Sequence, residues 1–185
     1  MIGNDVVDLH LAKTQSNWQR NRFLEKLFTE EEQKIIKNSD DSFLQVWLFW
    51  AMKEAAYKCY VQEHQKRFFA PKKFSCKIIT NTTGLVEIND HKYDVNICIT
   101  NNYIYTIAQK NYQKKMVSEI FFIDKNSSQT KKVHQKILSH FSSEISIQKN
   151  GMGIPFLLQK NSALPFLISI THHGNYGAFV ISEAV

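Results

Sequence analysis

The sequence predicts an α+β protein made of two similar lobes packed as a pseudo-dimer, and three patterns predict it. Residues 1–112 carry helix-length apolar or amphipathic runs followed by a series of short β-type runs. Residues 113–185 repeat a shorter mixed series of one helix and several strands. No low-complexity tract or long linker separates the two. A chain of 185 residues, 43% hydrophobic and 22% charged, is large enough to bury one core or two small packed ones.

Residues 2–9 are rich in valine and are expected as a strand. Ser16 is expected to cap a helix whose core face is Trp18, Leu24, Leu27 and Phe28. Thr29-Glu30-Glu31-Glu32 is a capping-box pattern that opens another short helix, with Ile35 and Ile36 inward. A polar turn over 38–42 leads into residues 43–60, FLQVWLFWAMKEAAYKCY, a helix apolar nearly all round and broken by Gln45, Lys53, Glu54 and Lys58. Such a helix is buried, and an unpartnered charge buried with it costs several kcal/mol, roughly. Glu54 and Lys58 lie four apart and share a face, with Lys53 beside them. They are either an i,i+4 salt bridge on the one wet stripe or part of a site that holds a metal or a phosphate.

Residues 66–73 form a basic loop containing Pro71, and strands are expected over 76–80, 85–88, 93–100 and 103–108 with short polar turns between them. The second lobe is expected to begin near Lys114, with a strand over 120–123, a polar linker and helix cap over 124–130, and a helix whose face is Val133, Ile137, Leu138 and Phe141. Strands over 145–148, 154–159, 166–171 and 176–182 complete it.

Cys59, Cys76 and Cys98 are odd in number and lack any C-x-x-C spacing, so they are expected as buried thiols of a reducing compartment, with no zinc site. No membrane span and no signal peptide is expected, which places the protein in the cytoplasm. The net charge of +6 favours acidic partners: nucleic acid, a polyphosphate-bearing small molecule or an acidic protein. A basic nucleic-acid-binding module with a stacking surface of Tyr93, Tyr103 and Tyr105 leaves the charges in the apolar helix unexplained, and no nucleic-acid-binding motif stands out.

Three segments share one resemblance. Gly3-Asn4-Asp5-Val6-Val7-Asp8-Leu9 resembles the G-x-D-[IV]-x-[DE]-[IL] signature of the 4'-phosphopantetheinyl transferases; Trp50-Ala51-Met52-Lys53-Glu54-Ala55-Ala56-Tyr57-Lys58 resembles their W-x-x-K-E-A-x-x-K; and Ile168-Ser169-Ile170-Thr171-His172-His173 resembles their S-[IV]-[ST]-H. The motif order is that of the holo-acyl-carrier-protein synthase type, and Arg22-Phe23-Leu24 with Phe28-Thr29-Glu30-Glu31-Glu32 resembles that family's R-F…F-[ST]-x-x-E. Residues 66–74 and Gly153-Ile154-Pro155-Phe156 look more like the longer two-lobed enzymes that prime peptide and polyketide synthases, with the lobes in the opposite order, as in a circular permutation.

The resemblance implies the two-lobed transferase fold, a monomer with its cleft inside one chain, and Mg²⁺-dependent transfer of the phosphopantetheine arm of coenzyme A to a serine of an acidic apo acyl or peptidyl carrier protein of fatty acid, polyketide or related synthesis. It implies Asp5 and Glu54 as metal ligands, with Asp8 the nearest replacement for the acid of the two-lobed type whose place Val7 takes. It implies Glu54 as acceptor of the serine proton, directly or through a metal-bound water, Lys58 on the pyrophosphate charge or assisting the proton transfer, and His172 on coenzyme A phosphates, with His173 a second candidate and Ser169 and Thr171 as hydroxyl donors. Lys53 is a further phosphate candidate, and Lys66 and Arg67 are candidates for the 3'-phosphate. Such chemistry needs no nucleophile within the chain, since the serine is the partner's. A homologue that binds coenzyme A or a carrier without turnover is the alternative that Val7 raises.

Overall fold

A strand with every residue buried needs cover on both faces and partners along both edges, and β1 (Ile2–Asp8) has all of these. The computed structural model describes residues 1–110, 115–141 and 144–183. After β1 come α1 (Leu9–Gln15), α2 (Phe23–Leu27), α3 (Glu30–Asn38), α4 (Ser42–His64), a 3-10 turn at Pro71–Lys73, β2 (Ser75–Thr80), β3 (Thr83–Ile88), β4 (His91–Ile99) and β5 (Tyr103–Gln109). Then follow β6 (Met116–Phe122), α5 (Gln129–Leu138), β7 (Ile145–Lys149), β8 (Pro155–Gln159), β9 (Ser162–Ala163), β10 (Phe166–His173) and β11 (Tyr176–Glu183). The strands up to β5 make one antiparallel sheet in the order β1-β5-β4-β3-β2, and the later ones make two three-stranded sheets, β10-β11-β6 and β7-β8-β9. The α+β class and the repeated helix-and-sheet arrangement are as the sequence predicts. The expected boundary at 112/113, like Lys114, lies outside the described residues.

α4 crosses the five-stranded sheet, which explains a helix apolar on every side. Val46, Phe49, Ala51, Met52, Ala55, Ala56 and Cys59 have no exposed surface and pack with Val7, Phe74, Val86, Tyr93 and Val95. The crossing is closest at Gly3: a Cβ there would stand 2.0 Å from the Ala55 carbonyl oxygen and 2.8 Å from the Cys59 nitrogen. The opposite face of β1 packs Ile2 and Val6 against Tyr105, Ile107, Ala178 and Val180, so β1 lies between α4 and the sheet of β11. Beyond β11, α5 lays Val133 and Ile137 on Ile123, Ile168 and Phe179.

One edge of β1 pairs with β5, from Ile2 opposite Gln109 to Asp8 opposite Tyr103. The other edge is met by side chains. The N–H groups of Ile2, Asn4, Val6 and Asp8 donate to Gln62 Oε1 (3.1 Å), Ser169 Oγ (3.1 Å), Thr171 Oγ1 (3.4 Å) and His173 Nδ1 (2.9 Å). Three of these acceptors stand at alternate positions of β10, all on one face, as the two-residue strand period requires. His173 must keep Nδ1 unprotonated to accept, and burial holds its pKa below the ordinary value against the opposing pull of Asp5 and Asp8.

Several sequence expectations change. Residues 9–15 are helical where only a strand end was expected: Asp8 Oδ1 accepts from the N–H groups of His10 (3.0 Å) and Leu11 (3.1 Å) and caps α1. Ser16 ends that helix instead of starting the next, which begins at Phe23. Of the α3 pair, Ile36 is fully buried and Ile35 is 47% exposed, because adjacent helical residues point about 100° apart. The Thr29–Glu32 capping box forms as expected. Cys59 and Cys76 are buried, but Cys98 lies exposed on β4.

Two outcomes follow from the packing around β1. Gly3→Ala forces α4 off the strand, and by the cost of overpacking we expect a loss of about 1–3 kcal/mol or more in urea unfolding. His173 has a lowered folded pKa, so its contribution to stability is fully present above the ordinary histidine value and is lost as pH falls through the folded one. His173→Gln keeps an acceptor that does not titrate, so we expect its unfolding free energy to fall less than that of the wild type between neutral pH and pH ~5.

Candidate active site

A cleft of about 400 Å³ opens where β1 and α4 face β10, and side chains from both lobes line it. Asp5 is on the same face of β1 as Gly3, so the tight crossing at Gly3 brings α4 within reach of its carboxylate. Lys58 Nζ donates to Asp5 Oδ1 at 3.0 Å and to the Asn4 carbonyl at 2.7 Å. Lys58 therefore pairs across elements: among the described ion pairs its partner is Asp5, and the i,i+4 bridge to Glu54 is absent. The Thr171 hydroxyl donates to the same Asp5 oxygen at 3.0 Å, which ties β10 to the carboxylate.

Glu54 stands one turn before Lys58 and faces the same cleft. Burial pushes its carboxyl up to about 7, the charge of Asp5 adds to the rise, and Lys58 opposes it. This is the behaviour of a carboxyl group taken out of water, with a second carboxylate close enough to add to the effect. Their hard oxygens on one wall are the donor set that a small divalent cation takes, with waters and substrate oxygens completing its shell.

His172 is exposed at the mouth of the cleft, on the opposite side of β10 from His173. Partial burial of the ring, then Lys58 and Lys149, hold its pKa below the ordinary value, which favours the neutral imidazole. Arg67 also lines the cleft, with its guanidinium laid against Gly153, whose φ of +72° suits glycine.

Other expected site residues are placed differently. Lys53 is 1% exposed and turned into the core: its ammonium is 2.8 Å from Glu32 Oε2 and donates to the carbonyls of Pro71 (3.1 Å) and Phe74. With three acceptors it is a fully satisfied buried cation that fixes the loop after α4, and none of its protons is left for a phosphate. Asp8 is committed as well, since Oδ1 caps α1 and Oδ2 accepts from the Asn175 N–H at 2.9 Å; it is absent from the cleft wall, so it does not replace the acid missing at Val7. Val7 itself is buried in the core beneath α4. Ser169 and Thr171 line the cleft, but their oxygens accept from β1 and the Thr171 proton goes to Asp5, so the hydroxyls join the lobes before they meet any ligand. Lys66 is exposed and does not line the cleft.

Lys149, His134 and Thr130 line the cleft and were not anticipated. Lys149 has a sequence signal: it directly precedes the turn at 150–153 that opens the Gly153-Ile154-Pro155-Phe156 element. Thr130 and His134 are four apart on α5, bordering the stripe of the core residues Val133 and Ile137, a spacing that fits the edge of any amphipathic helix equally well. Burial and Lys149 hold the His134 pKa low. The cleft thus sets a basic wall of Lys58, Arg67 and Lys149 against an acidic corner of Asp5 and Glu54.

The family model of the 4'-phosphopantetheinyl transferase superfamily matches residues 1–113, which include Asp5, Glu54 and Lys58. No curated protein matches the chain. Among solved structures it is similar to the Thermotoga maritima holo-[acyl-carrier-protein] synthase, at 11% identity and a TM-score of 0.44 over 88% of this chain and 83% of that one. It is also similar to the Helicobacter pylori holo-[acyl-carrier-protein] synthase in complex with coenzyme A, at 13% identity and a TM-score of 0.28 over 100% of both chains. Both likenesses are too distant to carry chemistry from those proteins to this one. The family match spans more than half of the 185 residues, and on that ground the chain belongs to the 4'-phosphopantetheinyl transferase superfamily.

Proposed function

We propose that this protein transfers the 4'-phosphopantetheine arm of coenzyme A to a serine of an apo acyl or peptidyl carrier protein. The observation that carries this reading is the meeting of Asp5, Glu54, Lys58 and His172, from both lobes, on one basic-walled cleft in a chain of this superfamily. The acidic corner fits magnesium by its donor chemistry: Asp5 and Glu54 are near enough for one to raise the pKa of the other, which a shared cation relieves. Magnesium held there supplies charge neutralisation for the pyrophosphate and its leaving group.

The chain's own residues do the rest. Lys58, Arg67 and Lys149 hold the phosphates, and the neutral rings of His134 and His172 offer N–H donors to phosphate oxygens. Lys58 and Thr171 orient Asp5. Glu54 accepts the proton of the carrier serine, whose oxygen bonds to the β-phosphorus as the bond from that phosphorus to the bridging oxygen breaks. The electron pair leaves with 3',5'-adenosine bisphosphate. The net charge of +6 favours an acidic carrier. Both walls of the cleft come from one chain, which supports a monomer, and the free thiols suit the cytoplasm. No helix is long and apolar enough to cross a membrane among the described residues.

One observation favours a second reading, a homologue that binds without turnover. With Val7 in the core and Asp8 used as a cap, the acidic corner holds, among the described residues, Asp5 and Glu54 alone. Incubating the protein with Mg²⁺, coenzyme A and a panel of apo carriers, and weighing each carrier intact, separates the two. We expect the carrier to gain the arm, and Asp5→Asn and Glu54→Gln to slow this by more than about a hundredfold with the fold retained. Coenzyme A binding with no mass gain on any carrier ends the transferase reading in favour of the second.

Metal binding gives an independent check. Glu54 keeps its proton up to about pH 7, and a cation must displace it, so Mg²⁺ affinity by calorimetry is expected to rise as pH increases through about 7, with proton release below it. In Glu54→Gln that pH dependence disappears. A flat profile in the wild type removes Glu54 from the ligand set.

A further inference from the structure

The last turn of α4 carries a second group of metal-type ligands, apart from the cleft. Glu63 and His64 end the helix, and His91 opens β4 beside them. Glu63 lies nine residues beyond Glu54, about 13 Å along the axis. We propose that Glu63, His64 and His91 bind one first-row divalent cation of the zinc class, and that the Lys110 ammonium holds its place when the metal is absent.

The geometry is close to what such an ion needs. His64 Nε2 is 3.6 Å from Glu63 Oε2, and His91 Nδ1 is 3.7 Å from Glu63 Oε1. A tetrahedral ion with bonds of about 2.1 Å separates its ligands by about 3.4 Å, near both of these distances, which reach the two oxygens of one carboxylate, and one ligand atom from each of the three residues lies within 4.8 Å of the others. His64 Nε2 is buried and has no hydrogen-bond partner among the described residues, an orphaned ring nitrogen that a cation satisfies when the proton is on Nδ1. The rings are held in position: Tyr60 lies 4.2 Å from the His64 ring and 5.8 Å from that of His91, and the two imidazoles are 4.4 Å apart. The Tyr93 hydroxyl donates to Glu63 Oε2 at 3.0 Å, the outer-shell bond that orients a ligating carboxylate.

Lys110 is the competing group. Its Nζ bonds to Glu63 Oε1 and lies 3.2 Å from His91 Nδ1, so a positive charge already sits among the ligands. Its side chain is 29% exposed and sits on a flexible stem, free to move to solvent as the ion enters. Two imidazoles and one carboxylate with an open side favour zinc-class ions over magnesium, which separates this site from the Asp5–Glu54 corner.

The test is calorimetric titration of Zn²⁺ into metal-free full-length protein with excess Mg²⁺ to occupy the cleft. We expect one ion per chain, an affinity at least about tenfold weaker in His64→Ala and in His91→Ala, and one about tenfold tighter in Lys110→Met, which removes the competing charge without removing a ligand. Asp5→Asn is expected to leave the Zn²⁺ isotherm unchanged. Equal binding by wild type and His91→Ala overturns the proposal. So does binding by Lys110→Met alone, since the ammonium is then the permanent cation of the site, and so does no binding by either.

Discussion

The molecule depends on how the outer edge of β1 is satisfied. A strand edge buried inside a protein must place its N–H groups, and the usual answer is another strand about 4.8 Å away. Here the acceptors are Gln62, Ser169, Thr171 and His173 side chains, while the backbone of β10 pairs with β11 instead. Contact through side chains keeps β10 a side chain's length away from β1. The space so kept open is continuous with the cleft, and Asp5 stands on the strand that borders it. Gln62 ties α4 to both strands, since its amide donates to the Ile168 carbonyl at 2.8 Å while its oxygen takes the Ile2 N–H. The same few polar groups therefore hold the two lobes together and hold them apart.

α4 shows how an almost wholly apolar helix divides its charges between the core and a cleft. Successive residues turn by about 100°, so Lys53 and Glu54 face different surroundings although they are neighbours. Lys53 enters the core, where Glu32 meets it; Glu32 also accepts from Thr29 N at 2.7 Å and from Cys76 N at 2.8 Å. One buried carboxylate thus closes a helix cap, starts a strand and neutralises a lysine. That pair anchors the segment carrying Pro71 and Phe74, and with it the approach to Arg67. Glu54 and Lys58, one turn apart on the other side, are left for the cleft.

Local pattern made much of this legible. The capping box at Thr29, the apolar helix and the short strands follow from periodicity and turn chemistry, and Asp5, Glu54, Lys58 and His172 were marked by motif and do line one cleft. What was not legible is what only the third dimension decides. Ser169 and Thr171 have the same hydroxyls whether they meet a phosphate or a strand edge, and nothing in their spacing tells which. Lys53 differs from Lys58 only in the azimuth of a helix that is apolar on every side, so no wet stripe marks the difference. Asp8 did carry a local signal, since an aspartate directly before Leu9-His10-Leu11-Ala12 is a helix cap, and the valine-rich strand before it masked that signal.

The two carboxylates of the cleft are alike in sequence type but not in surroundings, and the difference separates their tasks on the proposed mechanism. Asp5 Oδ1 has both an ammonium and a hydroxyl bonded to it, so its position is held by Lys58 and Thr171. Glu54 has no such bond among the described residues, is desolvated, and feels the charge of Asp5, which together push it up to about 7. A pair of acids whose environments move them apart divides into a fixed charge and a proton acceptor. Asp5 suits the first role because Lys58 and Thr171 are bonded to it, and Glu54 suits the second because its oxygens carry no such bond among the described residues and face the cleft. Lys58 couples them: it bonds to Asp5 directly and opposes the rise of Glu54, so one ammonium on α4 acts on both carboxylates.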